Sequence, residues 1–279
     1  MPPDDARPQA LTSTPAPLEI ERVEATGSTS SDLLARLRSW PDGVPLRPLL
    51  RIAVRQSAGR GRLGRSWQAT PGASLTCSFA WPLGGRDPAG LSLALGVALA
   101  EAIDPAPAEG ARLRIGVKWP NDLWLVGPGE PGRKLGGILV ETTPVGAARA
   151  AVIGIGINVL RQDVEDASSG VAWLAEIEPG ATPETLLARI VPAVLDALAR
   201  FERDGFAGFA ERFAARDLLR GRTVRLAADT AGAGGTRTGS AAGVGADGRL
   251  RVQTRDGWLA VGSGEVELAP GARAQGPAC

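Results

Sequence analysis

Three short apolar runs, Arg114 to Trp119, Gly136 to Glu141 and Ala150 to Val159, constrain this chain more than any other feature. Runs of that length suit buried strands, and Arg51 to Arg55 and Ser74 to Trp81 read as two more. Helical segments lie among them. Ser28-Thr29-Ser30-Ser31-Asp32 precedes an apolar helical pattern and supplies a hydroxyl for its N-cap. Ala89 to Ile103 is apolar at helical spacing. Pro183 opens another helix with Thr182 as its cap. Leu187, Ile190, Val194, Leu198 and Phe201 line one face of it, and Pro192 is a candidate kink. Phe206, Phe209 and Phe213 continue a helical stripe, which core packing explains.

After Arg220 the period changes to two. Thr223 to Leu226, the region around Gly243 and Val244, Arg249 to Val252 and Trp258 to Val261 read as strands, with Asp247-Gly248 and Asp256-Gly257 as hairpin turns. The expected organisation is a proline-rich flexible tail at 1–17, a large unit at 18–218, a small β unit at 219–270 and a second flexible tail at 271–279.

The 279 residues carry a net charge of +1 and no histidine. A Ser-His-Asp triad, a Cys-His pair and a His-based metal site are therefore excluded. The neutral balance is unlike a nucleic-acid binder with a dominant basic face. Cys77 and Cys279 do not make a disulfide framework, which favours a reducing cytoplasm. The N-terminus has no apolar core of a secretory leader, and no stretch approaches the ~18 apolar residues of a membrane span.

The densest signal is Gly59-Arg60-Gly61-Arg62-Leu63-Gly64-Arg65-Ser66-Trp67. Its glycines match the dinucleotide fingerprint, but Pro71 and Gly72 follow where a helix should open, and no acid occurs between Arg65 and Asp87. A Rossmann fold is rejected. What remains is a glycine loop that approaches a ligand closely and three guanidinium groups suited to phosphate or carboxylate. A solvated basic loop explains the same residues.

Of 31 basic residues only Lys118 and Lys134 are lysine, and Asn121 and Asn158 are the only asparagines. All four fall in Lys118-Trp119-Pro120-Asn121-Asp122, in Arg133 to Glu141 and in Gly154-Ile155-Gly156-Ile157-Asn158, at strand ends marked by glycine or proline. A retained ammonium suits the phosphates or carboxylate of a bound nucleotide, with chance as the bland reading. Asp122 is a single candidate ligand for Mg2+. Gly154 and Gly156 are explained equally well by tight strand packing.

In these motifs the chain resembles the biotin–protein ligases of the cytoplasmic bacterial kind. Gly27-Ser28-Thr29-Ser30, Gln56 with the Gly59–Arg65 loop and Trp67, Lys118 to Asp122, Lys134 to Ile138 and Gly156 to Asn158 occur in that family's order and spacing, over residues 18 to 218. The resemblance implies an α+β fold: a mixed β-sheet flanked by helices, related to class II aminoacyl-tRNA synthetases, then a small β-barrel of the Src-homology-3 kind. It implies that biotin's carboxylate attacks the α-phosphate of ATP, giving biotinyl-5′-adenylate, which a lysine of a biotin carboxyl carrier protein then attacks.

By the same resemblance Ser28, Thr29, Ser30, Gln56, Gly59, Arg60, Gly61, Arg62, Lys134, Gly136 and Gly137 would hold biotin. Arg62, Arg65, Trp67, Lys118, Asn121, Asp122, Lys134 and Asn158 would serve ATP, with Mg2+ at Asp122. Lys134 would bridge the biotin carboxylate and the α-phosphate, and Arg62 would retain the adenylate. The family usually has Asn where Ser30 stands, and a hydroxyl replaces part of an amide's hydrogen bonding. Lipoate and octanoate ligases or transferases share the architecture and are the alternative enzymes; a non-enzymatic nucleotide-binding module is the remaining class. Some relatives carry an N-terminal helix-turn-helix. With the first motif at residue 27, no operator binding is expected. With no apolar stretch of membrane length, no membrane association is expected. A sheet-edge homodimer stays open.

Overall fold

The structure is a computed structural model that describes residues 17–105, 114–127, 132–164, 170–227 and 236–269. The tails expected at 1–17 and 271–279 lie, apart from Pro17, outside the described residues. A seven-stranded sheet is built from β1 (Glu19–Thr26), β2 (Leu49–Gln56), β3 (Ser74–Leu83), β4 (Ile115–Lys118), β5 (Asp122–Leu125), β6 (Arg133–Val145) and β7 (Ala148–Asn158). Their order is β1-β2-β3-β7-β6-β5-β4. β1 and β2 run parallel and the other neighbours antiparallel, so the sheet is mixed and the fold is α+β.

Side-chain alternation decides which face each helix covers. On β7, Ala151, Ile153, Ile155 and Ile157 join a large buried cluster. It also takes in α2 (Leu91–Ile103) and the apolar stripe of α3 (Pro183–Asp204). On the opposite face Ala150 and Val152 pack with Leu33, Leu34 and Leu37 of α1 (Thr29–Arg38). Further along that face the alternate residues become Gly154 and Gly156. There the sheet is left bare.

The caps form as expected. Ser28 accepts from Ser31 N–H at the start of α1, and Thr182 and Thr185 cap each other at the start of α3, which continues through Pro192. The expected helical stripe at Phe206, Phe209 and Phe213 is broken. Gly205, at φ +62, stops α3, and a 3-10 turn at Phe206–Phe209 leads into α4 (Ala210–Ala214). All three rings are buried nonetheless.

A second, five-stranded antiparallel sheet follows: β8 (Thr223–Leu226), β9 (Arg237–Val244), β10 (Leu250–Thr254), β11 (Gly257–Val261) and β12 (Val266–Leu268), ordered β11-β10-β9-β8-β12. Its buried residues belong to the same cluster as the large sheet. Trp119, 1% exposed, donates its indole N–H to Gly248 O at 3.1 Å across the junction. Arg216 O and Leu218 N bond to Val117, laying the connecting segment along β4.

Asp217 sits in that segment. Its Oδ1 accepts from Leu219 N–H at 2.9 Å, while Oδ2 is buried without a hydrogen bond. Burial pushes its carboxyl up from 3.8 to about 6. The folded protein thus binds this proton more tightly than the unfolded chain does. The stabilisation is fully present below pH 4 and is lost as pH rises through 6. Relative to Asp217→Asn, the natural chain should lose about 3 kcal/mol between pH 4 and pH 7, read by urea unfolding at each pH.

Candidate functional site

The bare stretch of sheet is the floor of a cleft of about 150 Å³. Three glycines make that floor: Gly137 pairs in register with Gly156, and Gly154 faces Leu139 on β6 and Ser78 on β3. A Cβ on Gly156 would lie 2.4 Å from the Trp67 ring, and one on Gly154 would lie 2.6 Å from Ser30 Oγ. The strand packs tightly, and what packs on it is the wall of the cleft.

One end of the cleft is neutral and polar. The start of α1 brings Ser28, Thr29 and Ser30 to it, all buried. Gln56 at the end of β2 accepts from Thr29 N–H at 2.7 Å and from Thr29 Oγ1 at 3.0 Å. Ser78 lies behind them, 2.7 Å from Thr29 Oγ1 and 3.0 Å from Ser30 Oγ. The other end is cationic. Lys134 Nζ lies 2.8 Å from Asp122 Oδ1, and Lys118 Nζ sits 5.1 Å from the Trp124 ring centre. Burial pulls Lys118 below the usual lysine value, against the pull of Asp122.

The arginine-glycine loop closes one side. It turns through Leu63 and Gly64, at φ +54 and +77, and is pinned by Gly61 N–H on Arg65 O at 2.7 Å. Each arginine has a different anchor. Arg60 makes a bidentate pair with Glu141 at 2.8 and 3.0 Å. Arg65 pairs with Glu265. Arg62 donates to Asn121 Oδ1 and Gly264 O, both at 3.3 Å, and burial lowers its pKa. Trp67 lines the cleft with its indole N–H buried and without a hydrogen-bond partner.

Of the residues expected from the sequence, three do not line the cleft. Gly59 and Gly136 act through close packing: a Cβ would lie 2.4 Å from Trp67 O and 2.6 Å from Gly156 O respectively. Asn158 is buried with both polar atoms engaged, donating to Ala172 O at 3.3 Å and accepting from Gln162 at 2.7 Å. Ser78, Glu141 and the Gly264–Val266 turn were not expected. Ser78 had a signal, since Ser74, Thr76 and Ser78 are polar at period two in an otherwise apolar strand.

No group of three or more His, Cys, Asp or Glu suited to a metal ion occurs among the described residues. A divalent ion at Asp122 would therefore need its remaining oxygen ligands from water and a bound phosphate.

A mixed sheet with a glycine floor, hydroxyls at one end and two lysines at the other makes a cleft suited to a ligand that is neutral and polar at one end and anionic at the other. The family model described as the Biotin/lipoate A/B protein ligase family matches residues 28–158. The biotin–[acetyl-CoA-carboxylase] ligase of Mycobacterium tuberculosis is 33% identical over 222 residues, covering 75% of this chain and 74% of that protein. The bifunctional ligase/repressor BirA of Escherichia coli is 39% identical over 204 residues, 71% of this chain, but the match spans only 59% of that protein. Among solved structures, the biotin protein ligase from Aquifex aeolicus in complex with biotin and ATP superposes with a TM-score of 0.68 at 25% identity, covering 90% of this chain and 99% of that one. The chain belongs to the biotin/lipoate protein ligase family.

The floor is testable by itself. Gly156→Ala should cost about 1–3 kcal/mol in urea unfolding, because the Trp67 ring must give way. Gly137→Ala, whose Cβ would come no closer than 3.4 Å to Asp122 Oδ1, should cost less than about 1 kcal/mol.

Proposed function

We propose that this chain joins biotin to a lysine of a biotin carboxyl carrier domain, using ATP and passing through biotinyl-5′-adenylate. One observation carries the reading: a single cleft holds a hydroxyl-and-amide end at Ser28, Thr29, Ser30 and Gln56 and a cationic end at Arg62, Lys118 and Lys134. That polarity matches a molecule with a neutral polar ring at one end and a carboxylate at the other. The relatives' names and the biotin and ATP in the Aquifex aeolicus structure support it.

In the first step the biotin carboxylate oxygen attacks the α-phosphorus of ATP and pyrophosphate leaves. Two anions must approach, so the barrier is electrostatic. Lys134, at the cationic end, is placed to neutralise both while Asp122 holds its ammonium. Lys118 and Arg62, half-buried and only partly compensated by nearby carboxylates, gain most from incoming phosphates. Asp122 would be the protein carboxylate for a magnesium ion carried by the triphosphate, whose charge the ion would help to neutralise. Trp67 has an unused indole N–H for the nucleotide. In the second step the carrier's lysine amine attacks the acyl carbon and AMP leaves. No side chain forms a covalent intermediate, which suits a chain without histidine.

The large unit at 18–218 is then catalytic, with a sheet of the class II aminoacyl-tRNA synthetase kind. The antiparallel sheet within 219–270 supports a barrel of the Src-homology-3 kind, whose last turn, Gly264 to Val266, completes the cleft. The cytoplasm, where carrier domains are made, suits the reading.

Pyrophosphate exchange into ATP, with biotin, lipoate or octanoate supplied in turn, tests it. Exchange should require biotin, and exchange with lipoate alone would refute the assignment. Lys134→Ala should lower the biotin-dependent rate by about a hundredfold or more.

A further inference from the structure

At the neutral end of the cleft the hydrogen-bond chain has a direction that its donors and acceptors determine. Thr29 N–H can only donate and lies 2.7 Å from Gln56 Oε1, so the Gln56 amide turns its oxygen toward the start of α1. That oxygen has no proton. Thr29 Oγ1, 3.0 Å away, must therefore donate to it and spends its one hydroxyl proton there. Ser78 Oγ lies 2.7 Å from Thr29 Oγ1 and must be the donor of that contact. Its own proton being spent, Ser78 can only accept from Ser30 Oγ at 3.0 Å. The protons run one way, from Ser30 to Ser78 to Thr29 to Gln56.

The consequence falls on Ser30. With its proton directed inward, the hydroxyl presents only lone pairs to the cleft. Ser28 is the opposite case: its Oγ accepts from Ser31 N–H at 3.4 Å and keeps a proton to give. Ser78 is fully buried on β3 and opposite Gly154 in register, so no water competes for its hydroxyl. We propose that Ser78 is a positioning residue that fixes Ser30 as a hydrogen-bond acceptor and thereby selects a head group that donates N–H. Resting on the biotin reading, this makes the recognised feature the cyclic urea. Ser30 then supplies the acceptor that an asparagine side-chain oxygen would supply at that place. A dithiolane or alkyl end has no N–H and would leave the Ser30 lone pairs buried and unpaired.

Titration calorimetry of the full chain with biotin, each of the two singly N-methylated ureido biotins and lipoate tests this. The natural chain should bind biotin and lose about tenfold or more with one of the methylated forms. Ser78→Ala should weaken biotin binding about tenfold and leave the KM for ATP in place. Its penalty for that methylation should shrink below about threefold, because the Ser30 proton is released to rotate. Ser78→Thr, which keeps the hydroxyl, should restore both. A Ser78→Ala protein with natural biotin affinity, or with the full methylation penalty, overturns the proposal. If Ser78→Ala does not fold, the natural chain decides: equal binding of biotin and both methylated forms overturns it. Binding of lipoate without biotin would instead overturn the biotin reading itself, and the selection of an N–H donor with it.

Discussion

The ladder between β3, β7 and β6 is what the rest of the site depends on. Its backbone hydrogen bonds continue past the point where the side chains on one face shrink to glycine. A strand held by both neighbours loses little rigidity when a face is stripped, because the ladder and not the side chains fixes its path. The other face keeps its isoleucines and stays anchored on α2 and α3. A stiff, bare floor results, with 2.4–2.6 Å clearances that admit the Trp67 ring and the Ser30 hydroxyl and nothing larger than hydrogen beneath them.

On that floor the charges sort by burial. Arg60 and Arg65, at the two ends of the basic loop, pair with Glu141 and Glu265 where their side chains are 42% and 66% exposed. Exposed pairs of this kind contribute about 1 kcal/mol or less each, so they locate the loop without locking it. Arg62 and Lys118 lie deeper, where burial depresses both pKa values and neighbouring carboxylates only partly compensate. A buried cation short of counter-charge is stabilised strongly by an anion that brings its own hydrogen-bond acceptors. Arg62 also touches the Gly264 carbonyl of the small sheet, so it ties the loop to that sheet.

The sequence shows these elements unevenly, for physical reasons. Strands buried on both faces were legible from their apolar runs, and the helices from their stripes and caps. β1 was not. It is an edge strand whose Glu19 and Glu21 pair with Arg36 of α1, with Glu21 also 2.9 Å from Arg51, so its composition resembles a charged loop. β5 was not read either, and β12, of three residues, is too short for a period to register. In the site, loop glycines and rare lysines stand out because each is unusual where it occurs. Ser78 and Glu141 do not, since a serine on a strand and a glutamate at a strand's end are ordinary until the fold sets partners opposite them. Asn158 is a rare residue too, but the fold sets its amide against Ala172 and Gln162.

The change of period near residue 219 marks a change of secondary structure more than a break in packing. Val224, Leu226, Leu250, Val252, Val261 and Val266 of the small sheet share one buried cluster with α2 and the large sheet. The contact between the two is close enough to require glycine at Gly248, where a Cβ would lie 2.8 Å from Gly90 Cα. Trp119 stands next to Lys118 in the cleft wall and reaches Gly248 with its indole N–H, so removing the small sheet would expose the largest buried side chain and free its donor. Two motif residues, Lys118 and Asn121, flank that tryptophan and its proline. Their placement thus depends on a sheet that begins about a hundred residues later in the chain.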